Sequence, residues 1–161
     1  MAELTVSLRE NLELEGTQYG SRRSYTVTGV TNAFKRVVRC TRNVDTTIVK
    51  FGPDDNTSDA AINIVGTKYI RLTNLDRTSV VNLSFQIDTT EHASDASTAE
   101  ESATFALEPQ QSFIMGTAHD SLCVDDSGAT INTTLHDLES IIVDTPAGAE
   151  VDIEVFIAST Q

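Results

Sequence analysis

From Val81 the apolar residues fall on every second position, Val81, Leu83, Phe85 and Ile87, with Asn82, Ser84 and Gln86 between them. That is the period of a strand with one face in a core and the other in water. The alternation returns at Val151 to Ile157, where Asp152 and Glu154 separate Val151, Ile153 and Val155. Strand-like runs also occupy Leu4 to Leu8, Tyr25 to Val30, Phe34 to Thr41, Thr46 to Phe51, Ala61 to Val65, Tyr69 to Leu75, Ala103 to Leu107, Phe113 to Met115, Leu122 to Val124 and Ser140 to Val143. So many short strands predict an all-β domain, an antiparallel β-sandwich of jelly-roll type.

The connections carry turn chemistry. Asp76-Arg77-Thr78-Ser79 separates two strand patterns and predicts a hairpin from Lys68 to Ile87, and Glu108-Pro109-Gln110-Gln111 predicts a tight turn with Pro109 presetting φ. Glu15-Gly16, Gly52-Pro53-Asp54-Asp55-Asn56, Asp125-Asp126-Ser127-Gly128 and Pro146-Ala147-Gly148 mark further turns. Asp88 to Ser102 has no apolar period and reads as a long, mobile, exposed loop. Leu135 and Leu138, three apart, suggest a single helical turn over Thr133 to Glu139. The chain of 161 residues is expected to form one domain, 1–161, with 1–20 an extended arm or edge strand. At this length roughly 70% of the unfolded surface can be buried, enough for a core without staples.

Composition narrows the picture further. Cys40 and Cys123 stand far apart in no CxxC pattern and are read as reduced, structural residues. The amino terminus lacks the basic and apolar regions of a secretory signal, and no apolar run approaches the roughly 20 residues that cross a bilayer, so no membrane partner is expected.

Charge is unevenly spread. Residues 1 to 50 hold eight Lys or Arg against five acids, a balance of +3, whereas residues 51 to 161 hold three against nineteen, a balance of −16; together they give the formal −13. Arg22, Arg23, Lys35, Arg36, Arg39 and Arg42 form a basic island on an acidic chain, the candidate interface to an acidic neighbour. A solvated face of interspersed charge is the plainer alternative. The strong overall negative charge argues against nucleic acid as a partner.

Chemistry-bearing motifs are weak. Val124 to Thr130 (VDDSGAT) contains the Asp-Ser-Gly-Ala turn of retroviral-type aspartic proteases, but Asp125 stands where an apolar residue belongs and no matching downstream segment follows. Asp54, Asn56 and Ser58 alternate as in a calcium loop, yet Asp59 and Val65 occupy the positions that need Gly and Glu. His92, His119 and His136 are isolated. No zinc, phosphate-loop or nucleophile-base pattern occurs in the sequence, so neither a catalytic site nor a cofactor or metal is expected.

In combination, a short amino-terminal strand, Lys68-Tyr69-Ile70-Arg71-Leu72-Thr73-Asn74-Leu75, the alternating strand after it, Phe105-Ala106-Leu107-Glu108-Pro109-Gln110-Gln111-Ser112-Phe113 and a closing Ile141-to-Ile157 hairpin carry a likeness. The chain resembles small β-sandwich virion proteins of tailed bacteriophages, especially marine and cyanobacterial phages. The resemblance implies a non-enzymatic structural protein, made in the host cytoplasm and carried in the virion. Its implied role is a decoration or cement protein on the outer capsid surface, with the major capsid protein or other virion subunits as partners and a homo-oligomeric ring or trimer as its form. A neck, tail or fibre component is the alternative within that class, and a carbohydrate-binding or adhesive module the alternative outside it. The absence of Trp counts against the last.

Overall fold

The computed structural model describes residues 2–52, 62–88, 101–116, 121–122, 135–145 and 150–160. In chain order the strands are β1 (Ala2–Arg9), β2 (Glu13–Leu14), β3 (Thr17–Gln18), β4 (Arg22–Val30), β5 (Asn32–Cys40), β6 (Thr46–Gly52) and β7 (Ile62–Asn63). There follow β8 (Thr67–Asn74), β9 (Val81–Asp88), β10 (Glu101–Leu107), β11 (Ser112–Met115), β12 (Asp137–Asp144) and β13 (Val151–Ser159). Among the described residues there is no helix.

Two sheets carry the body. One has the order β11-β8-β13-β5 and the other β10-β9-β12-β6-β7. Leaving aside the short parallel β7, the eight body strands pair first with last and so on inward: β5 with β13, β6 with β12, β8 with β11, β9 with β10. A ribbon folded in half and wrapped across two sheets is a jelly roll. The expected all-β sandwich is thus the observed fold.

The core lies where the alternating patterns meet. Val81, Leu83 and Phe85 of β9 and Ile141 and Val143 of β12 share one cluster with Ile70 and Leu72 of β8 and Ile153, Val155 and Ile157 of β13. Each such side chain contributes about 1.5–3 kcal/mol when fully buried. On the opposite face of β13, Asp152 and Glu154 stay partly exposed, as the period requires.

Three expectations about connectivity need correcting. Lys68 to Ile87 is not a hairpin, because β8 and β9 belong to opposite sheets. The apolar sets of the two strands face each other across the core, and the period that reveals a strand says nothing about whether its neighbour pairs or packs. For the same reason β12 and β13, the supposed closing hairpin, lie in different sheets. Thr133 to Glu139 is not a helical turn where it is described: Asp137 to Glu139 begin β12, and Leu138 is buried in the core.

Turns and loops follow the chemistry more closely. The Glu108–Gln111 turn forms as expected, with Gln110 at φ 60° and the Gln111 N–H donating to the Glu108 carbonyl at 3.2 Å, and it carries the chain from one sheet to the other. The loop read from Asp88 to Ser102 is shorter than drawn, since Asp88 closes β9 and Glu101 and Ser102 open β10; residues 89–100 lie outside the described residues.

Asn74 ties the sheet-to-sheet crossings together. Fully buried, it donates through Nδ2 to the Ser79 carbonyl at 2.8 Å and the Leu107 carbonyl at 3.2 Å, while its Oδ1 accepts from the Asp76 N–H at 3.0 Å. Asp76 then closes the turn, accepting from the N–H groups of Thr78 and Ser79 at 2.7 Å each. Those backbone bonds hold its carboxyl below the ordinary aspartate range.

Candidate docking surface

The amino-terminal residues form a hairpin arm, not a single extended strand. β1 and β4 pair antiparallel from Glu3 opposite Thr28 to Arg9 opposite Arg22, and β2 and β3 continue the same register to Leu14 opposite Thr17. Between them the Glu10 N–H donates to Ser21 and the Tyr19 N–H to Leu12, both at 2.8 Å, which keeps the ladder in step. At the tip Glu15 and Gly16 have φ of 51° and 77°, the pattern of a type I′ turn. Gly20 is required by proximity: a Cβ there would lie 2.3 Å from the Glu10 carbonyl oxygen. The arm therefore runs to Val30, beyond the expected boundary at residue 20.

Opposite residues in a ladder share a face. One face of the arm holds Leu4, Val6, Leu8, Leu12 and Leu14 of the outgoing strand and Val27, Tyr25 and Tyr19 of the return, with Arg23 opposite Leu8 and the hydrogen-bonded Glu10 and Ser21 interrupting it midway. The other holds Glu3, Thr5, Ser7 and Arg9 against Thr28, Thr26, Ser24 and Arg22. At the root Leu4, Val6 and Val27 are half-buried, and burial pushes up the phenol pKa of Tyr69 on the outer face of β8. Towards the tip nothing covers the apolar face: Leu8, Leu12, Leu14 and Tyr19 are 56%, 54%, 58% and 61% exposed.

The six cations of the basic island are distributed over four settings. Arg22 and Arg23 lie on the arm, exposed, with no hydrogen bond or ion pair among the described residues; Arg9 stands directly across from Arg22. Lys35 and Arg39 of β5 are engaged by β13: Lys35 Nζ lies 3.0 Å from Glu154, and Arg39 donates to both carboxylate oxygens of Asp152 at 2.9 and 3.1 Å. Hydrogen bonds from these cations hold the Glu154 and Asp152 carboxyls below their ordinary range. Arg36 points the other way, stacks 5.0 Å from the Phe34 ring centre and donates to the Ile48 carbonyl on β6. Arg42 sits exposed in the turn after β5.

Sequence reasoning missed Arg9 and the apolar face of the arm. The face was signalled: the alternation Leu4, Val6, Leu8, Leu12, Leu14 mirrors Tyr19, Tyr25, Val27 about Glu15-Gly16. The ion pairs of β5 gave no local signal, since Asp152 is 113 residues from Arg39.

The remaining chemical candidates separate in space. Cys40 is a free, buried thiol, and desolvation pushes its pKa up to about 11, the opposite of an activated nucleophile. His136 forms an isolated backbone bridge with Leu122. A cleft lined by Arg39, Leu75, Asp76, Glu150 and Asp152 has its cation committed to Asp152. A polar groove on the outer face of the five-stranded sheet is lined by Asp45, Asn82, Ser84, Gln86, Thr104, Ile142 and Asp144. No group of three or more His, Cys, Asp or Glu able to hold a metal occurs among the described residues. Cys123, His92, His119, the VDDSGAT turn and the acidic loop after Gly52 lie outside them. No family model, curated protein or solved structure matches the chain.

Proposed function

We propose that this chain is a non-enzymatic structural protein of a tailed-phage virion, a decoration protein that binds the outer capsid surface. The observation that carries the reading is the arm: an amphipathic hairpin with an uncovered tip joined to a jelly-roll body, with Arg9, Arg22 and Arg23 free of acidic partners among the described residues. Such an arm is suited to assembly, because its exposed arginines select an acidic neighbour. Of the basic island, Arg22 and Arg23 are the docking residues, whereas Lys35, Arg36 and Arg39 serve the body itself.

Reversing Arg22 and Arg23 to Glu tests this. The double variant should fold normally, since exposed charges contribute roughly 0–1 kcal/mol, and should be depleted from purified particles. Normal occupancy would refute the docking role. Immunogold labelling of particles separates a capsid position from a neck, tail or fibre position. The polar groove at Asn82, Ser84, Gln86 and Thr104 supports a second reading, glycan binding, which a glycan array tests.

A further inference from the structure

We infer that the distal apolar face of the arm is covered by a second copy of this chain, each copy laying its arm on the body of the other. This goes beyond the virion assignment and does not depend on it.

The first argument is the arm's own stability. A two-stranded hairpin is marginal in water unless its apolar face is packed. Here packing fades from the half-buried root at Leu4, Val6 and Val27 to the exposed Leu8, Leu12, Leu14 and Tyr19. The partner must therefore be present wherever the chain folds, and another copy meets that condition.

Area gives the second argument. Leu8, Leu12, Leu14, Tyr19 and Tyr25 at about half exposure leave on the order of 500 Å² of side chain open, divided by the Glu10–Ser21 pair. One docked arm buries about twice that, counting both surfaces, which only reaches the lower limit of a specific interface. Two arms exchanged reciprocally bury roughly 2,000 Å², within the standard size.

Sedimentation equilibrium of the full-length chain at micromolar concentration tests the inference. The expected result is a dimer that Leu12→Asp with Tyr19→Asp weakens by roughly 30-fold or more, the effect of losing one hot spot. Ser24→Asp, on the polar face, should leave it intact, and far-UV circular dichroism should show the wild-type strand content in Ser24→Asp and a loss of no more than the arm's share in the tip variant. A monomeric wild type would overturn the inference, and so would a dimer indifferent to the tip substitutions or dissolved equally by Ser24→Asp. A wild type that is monomeric in solution, whose tip variants alone are lost from particles, would assign the face to the shell instead.

Discussion

Arg36 on β5 reaches across the open seam of the sandwich and donates to the backbone carbonyl of Ile48 on β6. β5 ends the four-stranded sheet, and Arg36 lies opposite Val155 on its core-facing side. An inward-pointing charge on an edge strand also discourages a foreign strand from pairing there. The opposite seam is closed by rings: Phe105 of β10 and Phe113 of β11 lie 5.7 Å apart, and Phe113 packs 4.9 Å from the buried Phe85.

Arg36→Ala should therefore lower stability by about 1–2 kcal/mol, through loss of a charge-assisted hydrogen bond and the contact with Phe34. Urea titration would measure it. Particle incorporation should be unchanged per folded molecule; a loss of incorporation at full stability would return Arg36 to the docking surface.

Asn74→Ala should cost about 2–3 kcal/mol, because it leaves the Leu107 carbonyl without that donor in a buried setting and releases the β8–β9 crossing. Asn74→Asp should be no better, having no Nδ2 to donate. Retention of the wild-type urea midpoint by either variant would show that the crossing is held by packing alone.

Acid should act through β13. Asp152 and Glu154 titrate below their ordinary values because Arg39 and Lys35 bond to the charged forms. A carboxyl with a lowered folded pKa adds stability above its unfolded value of about 4 and loses it as pH falls through the folded value. The urea midpoint should thus respond little to these groups above about pH 5 and fall below about pH 4. Glu154→Gln should be less stable at neutral pH and show a shallower acid limb. An unchanged limb would mean that the pairs contribute nothing measurable.

Cys40 should be silent in the folded protein. In a Cys123→Ser background, a disulfide thiol probe at pH 8 should titrate no thiol until denaturant is added, because the group is buried and its pKa is raised to about 11. Rapid labelling without denaturant would show that the β5 end of the core opens readily.

How much of this was legible varies from residue to residue. Val81 to Ile87 and Val151 to Ile157 announced their buried faces, since burial on one side of a strand leaves a period of two. That period cannot name a partner, and so β8 and β9 were joined as a hairpin although they pack across the core. The basic island was visible as composition, but whether a cation faces a neighbour, the seam or an acid on β13 is decided by register. Arg36 and Arg39 are three residues apart on one strand and point to opposite sides of the sheet. The arm was the reverse case: its mirrored alternation lay in the open, but without a core to pack against it resembled an isolated edge strand.

The nested pairing also imposes an order in time. β13 is inserted between β5 and β8, so during synthesis the four-stranded sheet remains split until residues 151 to 159 have left the ribosome. Until then Lys35 and Arg39 have no carboxylates to meet, and β5, which anchors the arm through Thr31, has no sheet to join. A chain stopped before β13 would lack the strand that joins β5 to the rest of its sheet, and only chains that have made β13 can offer the arm from a completed base.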